Sequence, residues 1–121
     1  MHNNITLGSG LIWIGREWWA HKTSIPSEQE VKIFLQKAID LGITFFDTAP
    51  AYWASENRLW RFLHWLDNYT RDSLFIATKC GEFWNDDGTT SIDHSFSVMK
   101  TSVDRSIDLL GKINLMQLHK S

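Results

Sequence analysis

The stretch Phe45-Phe46-Asp47-Thr48-Ala49-Pro50-Ala51-Tyr52 decides how the chain is read. An apolar, β-prone run that begins at Ile43 closes on a carboxylate, Asp47, and a proline stands between that carboxylate and Tyr52. Gly42 and Pro50 bound the run, so a short strand is expected here rather than the continuation of a helix. A charge at the end of a buried strand is costly unless it meets a partner. That partner must come from another element ending in the same place.

Working outward, the residues before this strand form a helical pattern. Ser27 and Glu30 make a Ser-x-x-Glu capping box, and Val31, Phe34, Leu35, Ala38 and Ile39 fall on one stripe before Gly42 supplies the stop. After the strand, a second helix is expected from about Ser55 to Asp67 with Leu59, Phe62, Leu63 and Leu66 inward. Ser73 to Lys79 reads as a strand, and the looser Gly81–Thr90 stretch carries turn chemistry at Asp87-Gly88, with Asp86 and Asp87 as turn residues rather than metal ligands. A third helix places Phe96, Met99, Val103, Ile107 and Leu110 on one face and ends at Gly111; Ile113 to His119 is the last strand.

With a first strand between Leu7 and Ile14, the order is β-α-β-α-β-α-β, an α/β arrangement that implies a parallel sheet with right-handed crossovers. Two architectures fit it, a doubly wound open sheet and part of a (β/α)8 barrel. The Gly8-x-Gly10 step does not open a helix, since the residues from Gly15 to Ser27 intervene, so the phosphate turn of a dinucleotide fold is missing its context.

Composition narrows the function classes. With 121 residues, 43% hydrophobic and 21% charged, the chain is read as one domain over residues 1–121. A net charge of -2 offers no broad basic surface, which argues against nucleic acid or anionic membranes as main partners. No apolar run nears the ~20 residues of a membrane helix, and no basic-then-apolar leader precedes Gly8. The single cysteine, Cys80, fits a reducing compartment and a small buried side chain. A cytoplasmic location is the expectation.

Asp47 is not alone at its strand end. Lys79 and His119 close the next two strands, 32 and then 40 residues further on, each about one βα unit. Parallel strands bring their C-terminal ends to one face, so the three can converge. A tyrosine is a reluctant acid near neutral pH unless a cation is held beside it. Lys79 can supply that cation to Tyr52, Asp47 can keep a buried Lys79 charged, and His119 can donate a hydrogen bond to a substrate oxygen. Together they suit protonation of a carbonyl oxygen while its carbon is reduced.

The segments Gly42–Leu63, Ile76–Trp84 and Leu115–Ser121 resemble the aldo-keto reductase family, carbonyl reductases dependent on NADPH and built on a (β/α)8 TIM barrel. The resemblance implies a partial barrel, the first four strands and three helices. It implies a catalytic tetrad of Asp47, Tyr52, Lys79 and His119, cofactor contacts at Gly10, Leu11 and Asp47, and substrate contacts at Trp13 and Trp84. A small-molecule carbonyl compound is the implied partner. No metal is called for.

Two departures from the family pattern accompany it. Trp53 and Trp60 stand where the family has glycine, and an indole after the catalytic tyrosine limits the backbone shapes open to that loop, while Trp60 risks overpacking. A complete barrel takes roughly 250 residues. Four strands alone leave two unpaired edges, which invites self-association, so a catalytically inactive half-barrel acting as a remnant or assembly module is the competing expectation.

Overall fold

The computed structural model describes residues 6–16 and 24–120. Four strands, β1 (Gly8–Gly10), β2 (Phe45–Asp47), β3 (Phe75–Cys80) and β6 (Leu115–Leu118), form one parallel sheet in the order β1-β2-β3-β6. Asp47 lies opposite Gly10 on one side and Ala77 on the other, and Lys79 lies opposite Gln117. With side chains alternating along each strand, Asp47, Ala77, Lys79 and Gln117 share one face with Phe45 and Phe75, whose rings stack 4.7 Å apart. Phe46, Ile76 and Thr78 point to the other face, all essentially unexposed.

That second face carries the helices and the core. The chain forms α1 (Glu28–Asp40), α2 (Ser55–Trp65), a short α3 (Asn68–Ser73) and α4 (Phe96–Leu110). The Ser27–Glu30 capping box is present in both directions, satisfying backbone donors that a helix start leaves unpaired. Val31, Leu35 and Ala38 from α1 meet Leu59, Phe62 and Leu63 from α2 over Phe46 and Ile76. Trp60 packs against this core from its margin, 4.3 Å from the His64 ring, so it finds room without being wedged beneath the helix.

Several elements differ from the sequence expectation, each for a physical reason. The first strand stops at Gly10 because Leu11 and Ile14 turn into the core, both unexposed, through one 3-10 turn at Ile12–Ile14. The Gly81–Thr90 stretch is not a loop but a hairpin, β4 (Glu82–Trp84) with β5 (Thr90–Ile92). Asp87 is the turn residue expected, its Oδ1 accepting from the Thr89 backbone and hydroxyl at 2.9 and 2.6 Å. The α3 helix, invisible to apolar periodicity, starts on the Asp67 side-chain cap.

The largest correction concerns α4. Its buried residues are Ser102, Ser106 and Leu110, whereas Phe96 is 78% and Ile107 48% exposed. The cause is a buried carboxyl on α2. Glu56, only 7% exposed, accepts through Oε2 from Thr78 Oγ1 at 2.8 Å and Ser106 Oγ at 2.9 Å. The Ser106 hydroxyl therefore takes an inward position on α4, and Phe96 and Ile107 are left outward while Leu110 stays buried.

Burial raises the Glu56 pKa, against the opposing pull of Thr78, Ser106, Arg105 and Lys79. A carboxyl whose pKa is higher in the folded state withholds stability as pH rises through that folded value, and withholds none below the unfolded one. Glu56→Gln keeps an acceptor for both hydroxyls. It should raise the chemical denaturation midpoint at pH 7 and change it little in acid, flattening the pH dependence; an equal effect at both pH values would contradict this origin.

Candidate active site

Lys79 anchors the site. The ammonium of this 9% exposed residue donates to Asp47 Oδ1 at 2.9 Å and to the Thr48 carbonyl oxygen at 3.0 Å. Gln117 Nε2 donates to the same Asp47 oxygen at 3.1 Å. Neighbouring strands thus place cation, carboxylate and carboxamide in one row, and the ion pair meets the requirement that a buried charge be partnered.

Tyr52 is delivered by the turn that Pro50 begins, Pro50–Tyr52, at whose first position proline's fixed φ is tolerated. The turn is held at both ends. Thr48 and Ser55 hydroxyls bond at 2.7 Å, Ser55 Oγ donates to the Leu11 carbonyl at 2.8 Å, and Arg16 Nη1 donates to the Ala51 carbonyl at 3.1 Å. Gly15 makes the approach possible, since a side chain there would collide with the Tyr52 carbonyl and the Ser55 backbone. Lys79 Nζ then sits 4.8 Å from the centre of the Tyr52 ring.

His119 completes the group, its ring meeting that of Tyr52 edge to face at 5.7 Å. Its backbone N–H donates to the Cys80 carbonyl at 2.8 Å, which fixes the strand end. Gly81, at φ +104, turns the chain from β3 into β4 in a conformation side chains rarely adopt, and a Cβ there would strike His94. The turn sends Glu82 back beneath His119, with Oε2 3.3 Å from Nδ1. Burial lowers the His119 pKa, Lys79 and Lys120 push the same way, and Glu82 and Asp47 oppose.

Asp47, Lys79 and His119, expected at three strand ends, and Tyr52, expected in the loop after the first of them, thus lie together on one rim. A model of the aldo/keto reductase family matches residues 6–121. The chain belongs to the aldo/keto reductase family. An aldo-keto reductase of Gibberella moniliformis is 38% identical over 87 residues, covering 70% of this chain and 25% of that protein. The L-galactose dehydrogenase of Arabidopsis thaliana is 33% identical over 86 residues, covering 69% of this chain and 25% of that protein. Among solved structures, a putative aldo-keto reductase from Pseudomonas aeruginosa superposes with a TM-score of 0.79 at 35% identity, covering 94% of this chain and 42% of that one. The chain therefore spans about a quarter of its curated relatives and less than half of that structure. Its sheet and helices are part of an aldo/keto reductase (β/α)8 barrel.

The remaining expected residues divide. Gly10 pairs with Asp47 across the ladder, and Leu11, wholly buried, donates its backbone N–H to the Asp47 carbonyl at 2.9 Å. Trp84 lies 6.1 Å from the Trp53 ring and under the Arg16 guanidinium at 5.0 Å, and with them, Ile25, Asp86 and Asp87 it lines a cleft of about 520 Å³ that none of the four rim residues lines. Trp13 is elsewhere: it packs edge-on against Phe34 of α1 and belongs to the core margin. Gln117 and Glu82 were missed by sequence reasoning. Gln117 had a signal, since it precedes His119 by two and so shares its face; Glu82 had none without the hairpin.

Trp53 adopts φ 50, in the region that favours glycine, and its side chain is half exposed. Relieving that backbone should outweigh the lost contact with Trp84. Trp53→Gly is expected to raise stability by about 1 kcal/mol, read as a higher thermal midpoint; an unchanged or lower midpoint would refute the strain.

Proposed function

We propose that this chain carries the catalytic side of an NADPH-dependent reductase of aldehyde or ketone carbonyls. The observation that bears most weight is the contact of the Asp47-held Lys79 ammonium with the Tyr52 ring. A bound reduced nicotinamide supplies the hydride for the carbonyl carbon. The residues of this chain manage the proton.

Tyr52 is read as the general acid that protonates the carbonyl oxygen. Lys79 favours the phenolate left behind, and Asp47 together with the Thr48 carbonyl prevents the ammonium from drifting. His119, on the far side of Tyr52, binds the substrate oxygen and fixes its approach. The fit to a nicotinamide riboside is supported by two features of the rim. Asp47 uses only Oδ1 for Lys79 and Gln117 among the described residues, leaving Oδ2 for a ribose hydroxyl. A Cβ at Gly10 would meet nothing within 4 Å, so the space beside Asp47 is open.

Trp84, with Trp53, is read as a wall for an apolar portion of the substrate, while the name of the L-galactose relative points toward polyhydroxylated compounds. Loss of absorbance by NADPH with a reactive aldehyde should exceed that of Tyr52→Phe by roughly 100-fold or more, the usual contribution of a general acid. Equal rates would reject the assignment of Tyr52.

A second reading rests on the edges. Among the described residues β1 and β6 each pair on one side only, and Leu115 and Leu118 are 41% and 56% exposed. Such edges template association, so the half-barrel can serve as an assembly module. Size-exclusion chromatography of the 121-residue chain should give an apparent mass above the monomer, and a concentration-independent monomer would exclude it.

A further inference from the structure

A second cavity lies on the helix side of the sheet, where the reductase reading has no use for it. It holds about 340 Å³ between α2 and α4, and none of Asp47, Tyr52, Lys79 and His119 lines it. Trp53, Phe83, Val98 and Leu109 give it apolar walls, while Glu56 and Arg105 bring it opposite charges. Ser102 and Ser106, small side chains at inward positions of α4, leave it room. Apolar walls with a few convergent polar groups are the character of a small-molecule site.

The two charges are placed for a ligand rather than for each other. Glu56 is 7% exposed, and its Oε2 is engaged by Thr78 and Ser106. Among the described residues Oε1 accepts no hydrogen bond, and it is not one of the atoms sealed from solvent without a partner, so it opens on the cavity that Glu56 lines. Arg105 is close enough for its charge to pull the Glu56 pKa down, yet the two form no ion pair. Lys79 acts on Glu56 from β3 but is committed to Asp47 and Thr48. Burial still prevails and raises the Glu56 pKa, the mark of a carboxylate short of partners.

Trp53 points the same way. It lines the cavity from a backbone at φ 50 and stands outside the hydrophobic core, half exposed. Strain of this kind clusters where a chain clamps a ligand.

We propose that this cavity binds an α-amino acid with an apolar side chain. The ligand's ammonium donates to Glu56 Oε1, its carboxylate accepts from the Arg105 guanidinium, and its side chain lies against Trp53 and Phe83. A zwitterion spans two opposite charges that do not pair with each other, and it leaves neither without a partner. An amine alone would meet the like charge of Arg105. A carboxylate alone would meet that of Glu56.

Isothermal titration calorimetry of the 121-residue chain tests this at about pH 8, above the ordinary carboxyl range. The probes are L-phenylalanine, phenethylammonium, which lacks the carboxylate, and hydrocinnamate, which lacks the ammonium. L-phenylalanine should bind roughly tenfold tighter or more than either analogue, the scale of one charge-assisted hydrogen bond. Glu56→Gln keeps an acceptor for Thr78 and Ser106 and should erase the advantage over hydrocinnamate; Arg105→Gln, at an exposed position, should erase the advantage over phenethylammonium. Trp53→Gly, expected to be the more stable protein, should nonetheless bind L-phenylalanine more weakly. No binding of L-phenylalanine, equal binding of the three probes, or advantages that survive both charge substitutions would overturn the proposal. The probe comparison in the unsubstituted chain depends on no variant folding. No step of it involves turnover, so its outcome is separate from that of the reductase reading.

Discussion

A lysine held under the rim of a sheet organises this molecule. The residue is nine-tenths buried, and burial of that kind is tolerated only with a counter-ion and further acceptors. Asp47 and the Thr48 carbonyl meet the requirement, which obliges β2 to end where it does and the chain to turn at Thr48. Tyr52 then lies over the ammonium, its turn held there by Ser55, Arg16 and the close approach at Gly15. The chemistry of the rim and the shape of the loop answer to one electrostatic demand.

The helix side of the sheet obeys a second polar demand. Glu56, Thr78 and Ser106 join α2, β3 and α4 through hydrogen bonds that only small hydroxyl residues can make at that separation. The hydrophobic residues of α4 give way to them. Phe96 and Ile107 stay outward.

Strand order, the helix stripes of α1 and α2, and the convergence of Asp47, Lys79 and His119 were legible in the sequence because they follow from period and spacing, which are local properties. The face of α4 was not. Its apolar positions obey helical spacing, and only the long-range bond with Glu56, 50 residues away, shows why Ser106 is turned inward. Trp13 shows a related limit: an indole beside a strand end suits a pocket wall or a core equally, and its packing against Phe34 was not legible in the sequence. Glu82 depended on a hairpin whose strands are three residues long, too short for alternation to register.

The Thr48–Ser55–Leu11 bridge carries a direction. A serine hydroxyl has one proton, and Ser55 must spend it on the Leu11 carbonyl, which can only accept. Thr48 is therefore the donor in the hydroxyl pair, and the polarity runs from Thr48 through Ser55 to Leu11. Such a chain has a single ground-state arrangement, with no reversed alternative to sample. The segment bearing Tyr52 is in this sense wired rather than merely tethered, and its two ends cannot exchange roles as the loop breathes.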